Sequence, residues 1–502
     1  MPLNSDSPKA QSGRREFIKL ASGAALTAAP WLAGCTTTPS SDVSSVSPKA
    51  WAELASHLQG ELLRPGQRDF GFLAAPRNLR YASVAGPAGI ARCKSVADVQ
   101  ACLAWAQLHK LPLVTRGGGH SYAGYSTTPG LMIELTQLDS VAFDPTTGKA
   151  VVGGGARNLT LYGKMPAAKA SVTHGMCATV GVGGLVLGGG VGLNLRDHGL
   201  LIDQLRETEI VTADGKLLRC NETENSDLFW ACRGGGGGNF GINTSLTFQT
   251  FPVETVTAFK VDWMANLDEL LPAMLDLLPS MPNGFGCVLA VEAEANGELN
   301  IEIAGQLKGG DANELRRLFA PLYRLAKPNY DIVKPMSYWE AQTSFLGESG
   351  APEHFDERSR YAFGPMSKAA SRTILAELRR WPRTKKRAMW KMFLMGGAAS
   401  KVAPDATAYV HRAASMLTAV ELNWDATDIG TTLPASQAWL ANFHAVMAEH
   451  TSDRCYQNFI DDTQTNFLRA YYGENLERLV RVKRAVDPKN VFNYRQGIPL
   501  TL

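Results

Sequence analysis

Two glycine-rich segments, each with one chemically versatile side chain, constrain this chain more than any other feature. The first is Arg116-Gly117-Gly118-Gly119-His120-Ser121-Tyr122, and the second runs from His174 through Cys177 to Gly184. Glycine lets a backbone come close to a bulky, charged group, and successive peptide N–H groups form a concavity that suits phosphate. We therefore expect loops lined by backbone around a large cofactor, with His120 and Cys177 set into them.

Length and composition exclude several classes of protein. A chain of 502 residues is too long for one ordinary core, so we expect two or three domains. The formal net charge is +3, and no basic stripe with interleaved aromatic residues is present, which argues against a nucleic-acid partner. The eight cysteines form no CxxC pair, and no histidine cluster has metal-ligand spacing, so we predict no metal site.

The first 35 residues are predicted to be a targeting segment. Arg14-Arg15-Glu16-Phe17-Ile18-Lys19 is a twin-arginine signature, followed by an apolar run from Leu20 to Leu32 that is too short to span a bilayer. Leu32-Ala33-Gly34-Cys35 resembles a bacterial lipobox with Cys35 as the lipidated N-terminus, whereas in a plain cleaved signal Cys35 would be incidental.

Residues 36–50 are rich in Ser, Thr and Pro and are predicted to form a disordered tether. We therefore expect export through the twin-arginine machinery to the periplasm or cell surface, with membrane contact only through a lipid on Cys35.

The rest of the chain changes pattern twice. Up to residue 254, strand-like runs alternate with helical ones such as Val96 to His109, which Ser95 caps. Near the start, five apolar residues are spaced for one helical face: Trp51, Leu54, Leu58, Leu62 and Leu63. From 255 to 445 the pattern predicts an antiparallel sheet with covering helices, and Asn296-Gly297 predicts a tight hairpin turn with positive φ angles.

The glycine-rich segments resemble the bicovalent flavin site of berberine bridge enzyme-like oxidoreductases, within the vanillyl-alcohol oxidase superfamily. The resemblance implies that His120 bonds the 8α-methyl of FAD and that Cys177 bonds C6. It extends to the segment from Phe229 to Gly241, which resembles a loop that lies along the cofactor, and to Tyr471 to Pro499 at the C-terminus.

The fold that the resemblance implies is α+β. It consists of a two-lobed PCMH-type FAD-binding domain over 51–254, an antiparallel-sheet substrate domain over 255–445, and a C-terminal segment over 446–502 that returns to the FAD domain. The other positions expected to bind FAD lie in the glycine-rich loops and the C-terminal segment; they are Arg116, Gly117, Gly118, Gly119, Ser121, Thr179, Val180, Gly181, Gly183, Gly184, Gly188, Gly189, Gly190, Gly192, Asn239, Gly241, Ile242, Asn458 and Asn490.

Oxidation of an alcohol requires a base for the hydroxyl proton while hydride passes from carbon to the flavin. The resemblance implies that Tyr456, in a Y-x-N-[FY]-x-D segment, is that base and that Tyr122 assists it. The alternative for each is a core tyrosine bonded to a neighbour. Glu421 is a rival base, because plant alkaloid-oxidising relatives use a glutamate on the comparable strand.

Val180, three residues after Cys177, stands where valine in this family goes with access of O₂ to the flavin. We therefore expect an oxidase that produces hydrogen peroxide from an alcohol or carbohydrate substrate. Two alternatives stay open: a dehydrogenase with a quinone or protein acceptor, and a surface binding protein whose flavin is vestigial.

Overall fold

The computed structural model describes residues 46–309, 311–345 and 351–502, so the twin-arginine and lipobox predictions lie outside the described residues. The end of the predicted tether is structured. Val46 is buried, and a helix begins at Pro48 with Ser47 accepting the N–H of Ala50. The structure therefore moves the start of the folded chain back from residue 51 to Val46.

The part of the chain before residue 254 contains two main sheets and one short strand pair. The first has four strands in the order β1 (Glu61–Leu63), β2 (Gly89–Arg92), β4 (Leu131–Glu134) and β3 (Leu113–Arg116), with β2, β4 and β3 parallel. The second is antiparallel, in the order β5 (Val141–Asp144), β6 (Lys149–Gly153), β10 (Ile242–Gln249), β8 (Leu205–Val211) and β9 (Leu217–Asn221). A short pair joins β7 (Ala170–Ser171) to β11 (Phe251–Pro252).

A seven-stranded antiparallel sheet follows. Its order is β15 (Tyr330–Ser337), β12 (Thr255–Trp263), β14 (Leu299–Lys308), β13 (Phe285–Glu294), β17 (Arg387–Leu394), β18 (Met416–Trp424) and β16 (His354–Ala362). The α+β prediction is confirmed. The predicted bound at 254 falls directly before β12, and the bound at 445 falls within a helix that ends at Val446; as domain limits, both stay predictions.

Helices cover the sheets and connect them. In chain order they are α1 (Pro48–His57), α2 (Phe70–Ala74), α3 (Val96–Leu108), α4 (Asn158–Lys164), α5 (Val182–Leu187), α6 (Leu195–His198), α7 (Leu201–Gln204), α8 (Ser226–Ala231), α9 (Leu267–Leu277), α10 (Ala312–Leu325), α11 (Tyr338–Ser344), α12 (Lys368–Arg379), α13 (Leu433–Val446), α14 (Phe467–Tyr472) and α15 (Leu476–Val486). In the described ranges, none is long and apolar enough to cross a membrane.

Two local predictions were wrong. Leu62 and Leu63 belong to β1, which pairs with β2, so the helical face ends with α1. In the β13–β14 hairpin only Gly297 has positive φ, at 90°. The N–H of Gly297 donates to Glu294 O, and the N–H of Glu294 donates to Glu298 O. This is a three-residue turn with a glycine bulge, which places one residue more between the strands than the predicted two-residue turn.

The C-terminal segment packs into the cores formed by the earlier part of the chain. Phe492 is buried with Trp51, Leu103 and Ile242. Lys483, fully buried, donates to the carbonyls of Asn239 and Phe492 and pairs with Asp487. These contacts carry the segment from 455 to 499 back against the glycine-rich loops.

Candidate cofactor and active site

A cavity of about 1130 Å³ lies where the glycine-rich loops, the C-terminal segment and β17 meet. This volume exceeds the roughly 300–1,000 Å³ of common small-molecule sites, so a cofactor and a substrate can share it. Of the predicted site residues, the following line it: Gly117, Gly118, Gly119, His120, Ser121, Tyr122, Cys177, Val180, Gly181, Gly183, Gly184, Gly241, Ile242, Tyr456 and Asn458.

The loops of His120 and Cys177 meet through their backbones. A Cβ on Gly118 would lie 2.3 Å from Gly181 N and 2.5 Å from Thr179 O, a distance that no side chain tolerates. The Cys177 loop is also anchored from α4, because Asn158 N donates to Val180 O at 3.0 Å and Asn158 Nδ2 donates to Cys177 O at 2.8 Å. The two loops thus form one rigid wall.

Both predicted attachment residues contact the same threonine. His120 Nε2 lies 2.8 Å from Thr179 Oγ1, and Cys177 Sγ lies 3.7 Å from that atom. Burial, with smaller contributions from Arg77 and Arg157, lowers the pKa of His120 to about 3. The imidazole is therefore neutral and has a free lone pair, which is the form that attacks an electrophilic carbon.

Some glycines of this wall leave open space where a side chain would be. A Cβ on Gly184 would meet nothing within 4 Å, and on Gly117 or Gly237 the nearest atom would lie at 4.0 or 3.9 Å. All three line the cavity. The missing side chains thus correspond to space that a flat, bulky group such as FAD would fill, so the residues present fit that cofactor.

Tyr456, on the C-terminal segment, also lines the cavity and is almost completely buried. Its Oη accepts hydrogen bonds from Gly190 N at 3.1 Å and from Asn458 Nδ2 at 3.0 Å. Burial raises the pKa of Tyr456, and these two donors counteract the rise. Two N–H donors aimed at one phenol oxygen suit a tyrosine that must carry negative charge.

Tyr122 faces the same cavity between two other aromatic rings. Its ring stacks on Phe459 at 5.2 Å and meets Phe355 edge-on at 5.0 Å. Burial raises the pKa of Tyr122 well above its usual value, and the charges of Glu357 and Glu421 raise it further. This phenol therefore stays protonated.

Glu421 does not line the cavity but binds a residue that does. Lys391 Nζ, on the cavity wall, donates to Glu421 Oε2 at 2.6 Å and to Glu357 Oε2 at 3.1 Å. Glu421 is thus held in an ion pair, an arrangement unlike that of a free base.

Two parts of the chain that line this cavity match known protein families. A family model described as FAD binding domain matches residues 87–221, and one described as berberine and berberine like matches 455–499. YgaK, an FAD-linked oxidoreductase of Bacillus subtilis, is 32% identical over an alignment of 453 residues that covers 88% of this chain and 97% of that protein. The chain belongs to the berberine bridge enzyme-like family of FAD-linked oxidoreductases.

Members of this family with known activity or structure are also similar. Glucooligosaccharide oxidase of Sarocladium strictum is 29% identical over 433 residues, covering 81% of this chain and 86% of the oxidase. The structure of BBE-like 1 of Physcomitrella patens matches with a TM-score of 0.81 at 26% identity over 90% of this chain and 99% of that chain. The predicted family, fold and FAD cofactor are therefore confirmed.

Several predicted FAD-binding residues contact other protein atoms and do not line the cavity. The Arg116 guanidinium donates to the carbonyls of Leu73, Ala75 and Ser126. Gly188, Gly189, Gly190 and Gly192 pack against other protein atoms: a Cβ on Gly188 would lie 2.1 Å from Asn458 Oδ1, and one on Gly192 would lie 2.1 Å from His174 O.

Two predicted asparagines are likewise placed in the protein framework. Asn239 donates to Gly235 O and Tyr494 Oη and accepts from Ile498 N, which ties the C-terminal segment to the glycine loop. Asn490 has positive φ, at 53°, and forms a turn with Asp487. We assign these residues positions that support the wall.

Sequence reasoning missed two charged residues of the site, Glu357 and Lys391. Lys391 interrupts an apolar strand, within Met389-Trp390-Lys391-Met392-Phe393, whereas Glu357 stands between Asp356 and Arg358. A lysine inside a buried strand is a signal in itself, because an unpaired buried charge is costly. Its partners could not be named without the strand register.

Proposed function

We propose that this protein is an FAD-dependent oxidase of an alcohol or sugar hydroxyl, with the flavin bonded to His120 and Cys177 and O₂ reduced to hydrogen peroxide. The observation that carries the proposal is the convergence of two nucleophilic side chains on one glycine-lined cavity that a buried tyrosine faces. The family includes enzymes named glucooligosaccharide, xylooligosaccharide and chitooligosaccharide oxidase, which favours a carbohydrate substrate.

Different residues of the chain would remove the proton, position the substrate and fix the cofactor in such a reaction. FAD, when bound, supplies the acceptor for the hydride of the substrate carbon. Tyr456 takes the hydroxyl proton, since the N–H groups of Gly190 and Asn458 stabilise its negative oxygen. Tyr122 holds the substrate from the adjacent face, and the wall around Thr179 fixes His120 and Cys177 against the cofactor.

Acid denaturation tests the covalent links. We expect the yellow colour to stay with the precipitated wild-type protein and to be washed out of a His120→Ala/Cys177→Ala double variant. Cys93→Ala is the control, because Cys93 is buried away from the cavity and its loss should leave the colour bound. Colour that washes out of the wild type would contradict the proposal.

The acceptor is tested separately. Val180 lines the cavity, as expected if O₂ reaches the flavin beside it. Stopped-flow mixing of the substrate-reduced enzyme with aerated buffer should return the colour rapidly, with peroxide as product. Slow return in air, together with fast return on adding a quinone, would replace the oxidase with the dehydrogenase.

We also propose export, on the basis of the twin-arginine motif and Cys35, which lie outside the described residues. Expression of the full chain in a bacterium that has the twin-arginine route should place it in the periplasm or on the cell surface. An Arg14→Lys/Arg15→Lys variant should remain in the cytoplasm, and equal distribution of the two would contradict export.

A further inference from the structure

Three charged side chains meet on the cavity side of the large sheet, and the proposed function gives no role to any of them. Glu357, Lys391 and Glu421 come from the neighbouring strands β16, β17 and β18, and Glu357 is the direct register partner of Glu421. Their side chains are only 1%, 15% and 12% exposed. We call these three residues the charged triad.

The triad contains two carboxyl groups and one ammonium group, so one carboxyl group is expected to hold a proton. Burial alone would raise the pKa of Glu421, but Lys391 and Arg387 outweigh it and lower the pKa. Burial raises the pKa of Glu357 to about 8, and Glu421 adds to the rise although Lys391 opposes it. The proton therefore resides on Glu357 near neutral pH.

The remaining oxygen of Glu357 is available to a neighbouring donor or acceptor. Glu357 Oε1 is buried and has no hydrogen-bond partner of standard geometry among the described residues. Glu357 is among the groups that raise the pKa of Tyr122, so its carboxyl group lies near this phenol of the glycine-rich loop, and Cys177 is a further titratable group near the phenol. The carbonyl of Tyr122 accepts from Asn78 Nδ2 at 2.9 Å, which together with the Phe459 and Phe355 rings leaves the phenol little freedom.

We propose that Glu357 is a positioning residue that determines whether Tyr122 donates a hydrogen bond to the substrate oxygen. When Glu357 is ionised, Tyr122 donates its O–H to the carboxylate, and the substrate hydroxyl is left to donate its one proton to Tyr456. When Glu357 is protonated, its carboxyl group donates to Tyr122, and Tyr122 donates to the substrate oxygen instead.

The two states should differ in reactivity. A hydrogen bond donated to the substrate oxygen holds electron density there and slows departure of hydride from the neighbouring carbon. When Tyr122 donates to Glu357 instead, this effect is absent. The ionised state of Glu357 therefore favours oxidation. This inference rests on the proposed function, because it concerns the substrate that Tyr456 deprotonates.

The first test is the pH dependence of anaerobic flavin reduction in the holoenzyme, with a glucooligosaccharide as the probe. The wild-type rate should rise roughly tenfold with pH, which is the value of one hydrogen bond. Glu357→Gln should match the wild type at low pH and lack the rise, because an amide donates to Tyr122 as the protonated acid does. A Glu357→Gln profile that retains the wild-type rise would overturn the inference.

Variants at the other two residues of the charged triad should shift the pH at which the flavin-reduction rate rises, in opposite directions. Glu421→Gln removes a negative charge beside Glu357, so the rise should shift to lower pH. Lys391→Met removes the positive charge, so the rise should shift to higher pH. Glu377→Gln, at a buried glutamate that binds Arg380 and Asn442 away from the cavity, is the matched control and should leave the profile unchanged.

A second readout does not depend on turnover. Infrared titration of the holoenzyme should show a protonated carboxyl band that disappears as the pH rises and is missing in Glu357→Gln. Absence of that band from the wild type would overturn the inference whether or not the enzyme is active. A wild type that shows the band and that no alcohol or sugar reduces would instead overturn the proposed function, and with it the role of Glu357 toward the substrate.

Discussion

The two walls of the cavity are built in opposite ways. The wall that carries His120 and Cys177 is made of glycine backbone, with loops so close that Gly118 has no room for a Cβ. The wall formed by β17 and the C-terminal segment is made of large side chains, among them Lys391, Phe393 and Tyr456. The first wall is fixed by steric exclusion, and the second by hydrogen bonds and charge.

This difference separates two tasks of the enzyme. A backbone wall presents the same N–H and C=O groups whatever the substrate, which suits a constant cofactor. A side-chain wall can change one residue at a time without changing the fold, which suits a variable substrate. Substitutions in the first wall should therefore affect cofactor loading, and substitutions in the second should affect rate and pH dependence.

The strongest test of this contrast compares two glycines of the backbone wall. Gly118→Ala should abolish FAD incorporation, because its Cβ would collide with backbone atoms of the Cys177 loop at 2.3 Å and 2.5 Å. Gly184→Val should leave the apoprotein as stable as the wild type and lower only the flavin content, because the space there is empty. Flavin absorbance per protein and apoprotein melting temperature measure the two effects. Equal loss of apoprotein stability in both would contradict the distinction.

The next test removes the phenol oxygen of the side-chain wall. Tyr456→Phe should slow anaerobic flavin reduction by about 10²- to 10⁴-fold, the range for loss of a general base, and leave flavin content unchanged. Tyr409→Phe is the matched control, since Tyr409 is fully buried and bonds Tyr361 Oη at 2.7 Å without lining the cavity. Comparable slowing in both variants would show that Tyr456 acts through packing.

The contrast also explains what could be predicted from the sequence. The backbone wall could be predicted because close approach of two loops requires glycine at consecutive positions, and a run of glycines is directly visible in the sequence. The sequence also predicts a helix over Val96 to His109 with Ser95 as its cap, and α3 spans Val96–Leu108 with Ser95 accepting the N–H of Asp98. The glycines that pack against other protein atoms could not be distinguished from those that line the cavity, since both positions require a small residue.

The side-chain wall is harder to predict from the sequence because it depends on strand register. Lys391 meets Glu357 and Glu421 only because β17, β18 and β16 are adjacent, an order that does not follow the sequence. The pattern over 255–445 predicts an antiparallel sheet, but in β16 charged residues such as Asp356 and Arg358 interrupt the apolar run that marks a buried strand. Glu421 was singled out, but its ion pair could not be foreseen.

A third test addresses the charged triad as a structural unit. Lys391→Met leaves two buried carboxyl groups without their cation and should lower the free energy of unfolding by about 3–5 kcal/mol. Replacing all three residues with Met or Gln should recover most of this loss, because the unpaired charge causes it. Urea unfolding of both variants against the wild type measures the change. A triple variant as unstable as the single one would show that packing of the lysine stem matters more than its charge.

The smallest expected effect is a change in how the free energy of unfolding depends on pH, and it tests Glu357 alone. Its pKa of about 8 in the native state exceeds the ordinary value of 4.5, so between these values the native protein holds a proton that the unfolded chain has released. Stability must then fall as pH rises through that window, by up to about 1.4 kcal/mol per pH unit for this group. Glu357→Gln has no such proton, so its free energy of unfolding relative to the wild type should increase with pH at that slope, whatever its absolute value. Glu377→Gln should run parallel to the wild type over the same window. A Glu357→Gln curve that also runs parallel would mean that Glu357 is already ionised at neutral pH, and the side-chain wall would then carry a fixed charge instead of a titratable one.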